Sequence, residues 1–191
     1  MGGALIGVGI GVVVFLVILV LWFIGTYNRF IGMRNQVKNA WSQIDVQLKR
    51  RHDLIPNLVE VVKDYMGFEQ ETLENVTKAR NVAMAASGQG PGAQGAAEAG
   101  LSKALAGLYV VMENYPDLKA NQNVAQLQEE LTSTENKIAF SRQFYNDSVM
   151  RFNTGIQRIP ANIIAGLGGF KAEEFFEIEE TEREVPKVDL R

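Results

Sequence analysis

Cysteine is absent from this 191-residue chain, and histidine occurs once, at His52. Without thiols there is no disulfide framework, no thiolate nucleophile and no thiolate-bound metal. A single imidazole excludes a histidine metal cluster within one chain, and with it a di-iron bundle built on two Glu-x-x-His motifs. A dominant charge is missing too. The chain has 19 basic and 22 acidic residues and a net charge of −3, so it carries no overall basic footprint and nucleic acid is not an expected partner. Sustained strand-like alternation is missing as well. These absences remove many enzyme classes and point to a protein that works by shape, assembly and location.

The most prominent feature present is an apolar run. Ala4 to Ile24 holds no charged residue. At ~1.5 Å per residue such a helix is about 31 Å long, roughly the hydrocarbon thickness of a bilayer. Trp22 and Tyr27 at its end suit the headgroup interface. A signal peptide is the competing assignment, but it needs a basic start, a shorter apolar core and a small-x-small cleavage site. The run has no Lys or Arg before it, is too long, and ends in Trp22-Phe23-Ile24, so residues 1–26 are expected to be a retained anchor. Just beyond lie Arg29, Arg34, Lys38, Lys49, Arg50 and Arg51 against Asp45 alone. That asymmetry places the short N-terminus outside and the body in the cytoplasm. Arg29 and Arg34 are expected near anionic headgroups. Gly3, Gly7 and Gly11, spaced by four, share a helix face and suggest that anchors self-associate. Against this, Gly9 lies off that face and glycine is common in membrane helices.

The soluble part, residues 27–160, reads as long helices. Phe30, Val37, Trp41, Ile44, Leu48, Ile55, Leu58, Val62 and Tyr65 form one seam on alternating steps of three and four. Arg51 interrupts it, and Pro56 is expected to kink the helix. Residues 87–100 are rich in glycine and read as a flexible linker. No Gly-Lys-Ser/Thr follows them, so they do not form a phosphate loop. Leu101 to Glu113 reads as a shorter helix. A second long seam runs from Val124 through Leu131, Ile138, Tyr145, Phe152 and Ile159, stopping at Pro160. The expected fold is all-α, a transmembrane helix followed by an elongated antiparallel bundle with long kinked helices. Residues 161–191 form an apolar, then acidic tail, with eight acidic and four basic side chains in the last 21 positions. Phe170, Phe175 and Phe176 are its candidate docking residues. Whether the tail folds back on the bundle, docks elsewhere or lies in the membrane interface stays open.

Three stretches carry a family resemblance: Asn35 to Tyr65, NQVKNAWSQIDVQLKRRHDLIPNLVEVVKDY; Ala79-Arg80-Asn81; and Tyr115 to Val149, YPDLKANQNVAQLQEELTSTENKIAFSRQFYNDSV, followed by Phe152-Asn153. Together they resemble the bacterial LemA family over roughly residues 20–180. The resemblance implies an anchor in the bacterial inner membrane, a small outside N-terminus and a cytoplasmic helical bundle. It implies no reaction and no cofactor. A histidine-kinase identity is set aside, since the chain lacks a Gly-rich nucleotide box.

Chemistry inside the bundle is confined to a few residues. His52 stands beside Asp53 but has no Ser, Thr or Lys nucleophile set up next to it. Arg51, at a seam position, needs a buried partner. Glu135 on the return helix is the leading candidate, with Arg80 an alternative claimant, giving a structural polar layer of Arg51, Arg80 and Glu135. Glu113, Asp117, Glu129, Glu130 and Glu135 could offer oxygen ligands to a hard cation, but no EF-hand spacing occurs. The expected function is therefore a non-enzymatic, membrane-anchored scaffold or interaction protein, self-assembling at the cytoplasmic membrane face. Its expected partners are the lipid bilayer and further copies of itself, with another membrane protein as a further candidate. The alternative is an accessory subunit of a membrane enzyme, such as a protease, or of a signalling system.

Overall fold

A computed structural model describes residues 2–67 and 69–177. The acidic stretch 178–191, singled out in the sequence, lies outside the described residues. Among those described, every regular element is helical: α1 Gly2–Lys63, α2 Gln70–Ala85, α3 Pro91–Met112, α4 Pro116–Lys119, α5 Gln122–Gln157 and α6 Ala161–Leu167. Pro56 lies inside α1, which continues through it. The chain divides into two compact units, Met1–Asn39 with Asp147–Glu173, and Ala40–Asn146 with Glu174 onward.

The first unit holds the start of α1, the end of α5, and α6. Its core is aromatic. Phe170 sits between Tyr27 and Phe30 at 5.4 Å from each ring, with Phe152 at 6.3 Å, in edge-on geometries. Val37, Val149 and Ile156 are buried in the same unit. The chain reaches this packing after α6 through Gly169, whose φ of 67° is left-handed and suits glycine. Asn153 then grips the returning backbone with its side-chain amide: Nδ2 donates to the Glu173 carbonyl at 2.9 Å, and the Glu173 N–H donates to Oδ1 at 2.9 Å.

The second unit is a helical bundle. Ile55, Leu58 and Val62 of α1, Leu73 and Val76 of α2, Leu101, Leu105 and Leu108 of α3, and Leu131 of α5 share one core. Local chemistry fixes the element ends. Asn121 caps α5, its Oδ1 accepting from the Asn123 and Val124 N–H groups at 2.9 and 3.4 Å. The Gly-rich segment expected as a linker is a correction: helix α3 starts inside it, at Pro91. Gly90 takes a left-handed φ of 107° and Pro91 occupies the first helical position. Packing overrides the poor helix propensity of glycine here. Gly95 is buried, and a Cβ on it would collide with the Glu177 carbonyl oxygen, so a side chain is excluded by the close approach of another backbone.

Candidate functional site

The apolar start of α1 is the first candidate surface. Its large side chains from Ile6 to Ile24 are 39–67% exposed, so no side of the helix is covered by the described chain. Its length and composition suffice to cross a membrane. Gly7 and Gly11 lie open, with nothing within 4 Å of where a Cβ would stand. Gly3 belongs to the same helix. Trp22 and Tyr27 are 40% and 37% exposed at the end of the apolar run. Arg29 is exposed. The guanidinium carbon of Arg34 stands 5.2 Å over the Phe170 ring, a cation–π contact inside its own unit.

The second unit contains a buried polar cluster. Arg51, His52, Gln94 and Glu98 are between 1% and 7% exposed. Glu98 lies at its centre. One carboxylate oxygen, Oε1, is 2.7 Å from His52 Nε2. The other, Oε2, faces Arg51 Nη1 at 3.6 Å. Arg51 also donates to Ser102 Oγ at 2.7 Å and lies 3.8 Å from Glu135. Ser102 in turn donates to Glu135 Oε1 at 3.3 Å. Arg80 does not compete for that carboxylate as expected. Its Nε donates to the main-chain carbonyl of His52 at 2.6 Å, tying α2 to α1. Tyr109, near this cluster, has its phenol pushed above the usual range, first by burial and then by the Glu135 carboxylate, with Arg51 opposing. The histidine is thus paired with a carboxylate inside a protein core.

Glu98 and Gln94 escape a reading that treats 87–100 as a linker. A signal was nevertheless present. Positions 94, 98, 101, 105, 108 and 112 continue one three/four seam, with polar residues at its first two places, and Arg51 is the polar place in the seam of α1. Two seams, each polar at one level, met there.

The aromatic docking residues need correction as well. Phe170 is 8% exposed and Phe176 1%. Trp41 packs on Phe176 at 5.6 Å and on Tyr145 at 5.2 Å. Asn146 clamps Phe176 as Asn153 clamps Glu173, with Nδ2 to the carbonyl at 3.2 Å and the N–H to Oδ1 at 3.0 Å. The Tyr145 hydroxyl donates to the Glu174 carbonyl at 2.8 Å. These rings are core, and residues 171–177 fold back. Phe175, at 38%, stays exposed. Of the acids considered for a cation, Glu130 lies 3.5 Å from Arg50 and Glu135 belongs to the cluster above.

The stretches that carried the resemblance hold these contacts: Arg51 and His52 in the first, Arg80 in the second, and Tyr145, Asn146 and Asn153 in the third. The magnetosome protein MamQ 2 of Paramagnetospirillum magneticum is 26% identical over 189 residues, covering 84% of this chain and 70% of that protein. MamQ of Magnetospirillum gryphiswaldense is 25% identical over 174 residues, covering 78% and 64%. Protein LemA of Metamycoplasma hominis is 26% identical over 170 residues, covering 88% and 77%. The LemA family pattern itself matches residues 40–190, most of the chain, and the protein belongs to the LemA family.

Proposed function

We propose that this membrane-associated helical protein is a single-pass scaffold, anchored by α1 with its body on the cytoplasmic side, that self-assembles to organise or shape the membrane or to recruit partners. The observation that carries the reading is the contrast within α1. Its first part exposes apolar side chains all round, while Phe30, Val37, Ile44 and Leu48 further along are buried. A water-exposed apolar helix of this length is strongly unfavourable, since each large apolar side chain gains about 1.5–3 kcal/mol on leaving water. A bilayer supplies that environment. Once anchored, copies are confined to two dimensions, so weak lateral contacts through the open Gly7–Gly11 face suffice for assembly. Reactions play no part in the proposal. His52 and Glu98, the acid–base pair in the core, are paired with each other, and the names of the relatives refer to a family and a magnetosome, not to a reaction.

The test is particle mass and shape after extraction in mild detergent. A large homo-oligomer that falls to monomer on Gly7→Ile with Gly11→Ile supports the scaffold. A monomer in both cases overturns self-assembly. A second reading, an accessory subunit of a membrane enzyme or signalling system, is favoured by the groove beside Val46 and Phe140 in the second unit, where these side chains are 62% and 74% exposed. Its signature is a monomer that co-purifies with one other membrane protein, with or without the glycine substitutions.

A further inference from the structure

Helix α6 is short and mostly apolar. Its sequence, Ala161 to Leu167, contains Asn162 as the one polar residue. A helix with so few polar residues gains by covering more than one of its sides. The protein covers only one side. Ile164 and Ala165 are buried at 1% and 3%, whereas Ile163 and Leu167, one turn apart, are 63% and 74% exposed, and Ile159 just before the helix is 85% exposed. Ile163 and Leu167 therefore share an uncovered apolar face of α6, and Ile159 adds an exposed apolar side chain just before it.

The position of the stripe says what covers it. Gly168, next to Leu167, lies against Tyr27: a Cβ there would come to 3.0 Å from that ring. Phe170 packs on Tyr27 and Phe30. Tyr27 is three residues past Ile24, the end of the apolar run, or about 4.5 Å along the helix. The end of α6 thus lies at the level where α1 leaves the hydrocarbon, inside a headgroup layer some 5–8 Å deep. Charge agrees. The described part of this unit carries Arg29, Arg34, Lys38, Arg151, Arg158 and Lys171 against Asp147 and Glu173. Arg158 and Lys171, both exposed, flank α6 directly. Of the tail's glutamates, the described Glu174 and Glu177 belong to the other unit.

The geometry points to α6 as a second membrane contact: Ile159, Ile163 and Leu167 enter the acyl boundary of a bilayer containing anionic phospholipid, with Arg158 and Lys171 at its phosphates. This rests on α1 spanning the same bilayer. Because the chain has no cysteine, single fluorophores can be placed on Leu167→Cys, on Thr154→Cys at an exposed site of α5, and on Leu21→Cys in the span. The full-length protein is reconstituted in phosphatidylethanolamine–phosphatidylglycerol vesicles containing brominated lipid. Leu21 is expected to be quenched, Thr154 not, and Leu167 by about half the Leu21 value or more, as befits shallow burial. Arg158→Glu with Lys171→Glu is expected to cut the Leu167 quenching about in half. Quenching at Leu21 with Leu167 resembling Thr154 overturns the inference and leaves the anchor intact. Failure at Leu21 itself overturns the spanning helix and the inference with it. Self-quenching between labels at Leu167 that rises with protein density, without lipid quenching, assigns the stripe to a second copy and likewise overturns it.

Discussion

Replacing Glu98 with alanine tests the polar cluster most directly. Among the described residues Glu98 is the only buried carboxylate, and it faces a cation that is itself 3% exposed. Its removal leaves the Arg51 guanidinium with a hydroxyl at 2.7 Å and a half-exposed carboxylate at 3.8 Å, and leaves His52 Nε2 without its partner. Breaking a buried pair from one side destabilises by about 3–5 kcal/mol. The retained Ser102 contact argues for about 3, at the lower end of that range. Glu98→Gln keeps a partner for His52 but loses the charge, and is expected to cost about 1–3 kcal/mol. Arg51→Met added to Glu98→Gln removes the stranded cation, so the double variant is expected to be more stable than the sum of the singles by about 1–3 kcal/mol. Trp41 packs within the same unit on Tyr145 and Phe176, so its fluorescence in a Trp22→Phe background follows urea unfolding of that unit, with the slope held constant as the control. A Glu98→Ala variant within about 0.5 kcal/mol of the parent, or strict additivity in the double variant, refutes the electrostatic account.

Other consequences can be measured as simply. Phe170→Ala empties the centre of the aromatic core and is expected to destabilise the first unit by about 3–5 kcal/mol, seen as rapid amide exchange through 161–173, whereas Phe175→Ala at an exposed site should change stability by less than about 0.5 kcal/mol. Gly95→Ala forces the Glu177 backbone away from α3 and is expected to cost about 1–3 kcal/mol, read from the same Trp41 transition. The raised phenol of Tyr109 means that above about pH 10 the unfolded chain loses this proton before the folded one does. Stability should therefore fall as pH rises through that point. Tyr109→Phe should flatten this alkaline limb in unfolding midpoints measured across it.

The helices themselves were largely legible, because burial follows a period that a sequence displays. Phe30, Val37, Ile44, Leu48, Ile55, Leu58 and Val62 are all buried as the first seam predicts. Each of the two seams fails at its C-terminal end. Tyr65 is 42% exposed, beyond the last residue of α1, and Ile159 is 85% exposed after α5 has stopped. Arg51 announced itself as a polar seam residue needing a partner, and Glu135 is within reach. The principal partner, Glu98, was hidden because glycine content suggests chain flexibility, while here Gly95 serves a close backbone approach inside a helix. The clamps were hidden for a different reason. Asn146 and Asn153 look like ordinary polar positions on a helix, and nothing in a linear pattern shows that an amide faces a returning main chain with both its donor and its acceptor engaged.

Because α1 is one helix from Gly2 to Lys63, the azimuth of the glycine face is geared to the stripe that the first unit buries. Gly11 and Phe30 are 19 positions apart, which at about 100° per residue sets them roughly 100° from each other around the axis. Under the proposed anchoring, a copy that presents its glycine face to a neighbour within the bilayer also fixes the compass bearing of the Phe30 stripe beyond it. One alanine inserted between Gly25 and Thr26 would leave every contact of each part untouched, yet turn one dial by about 100° against the other.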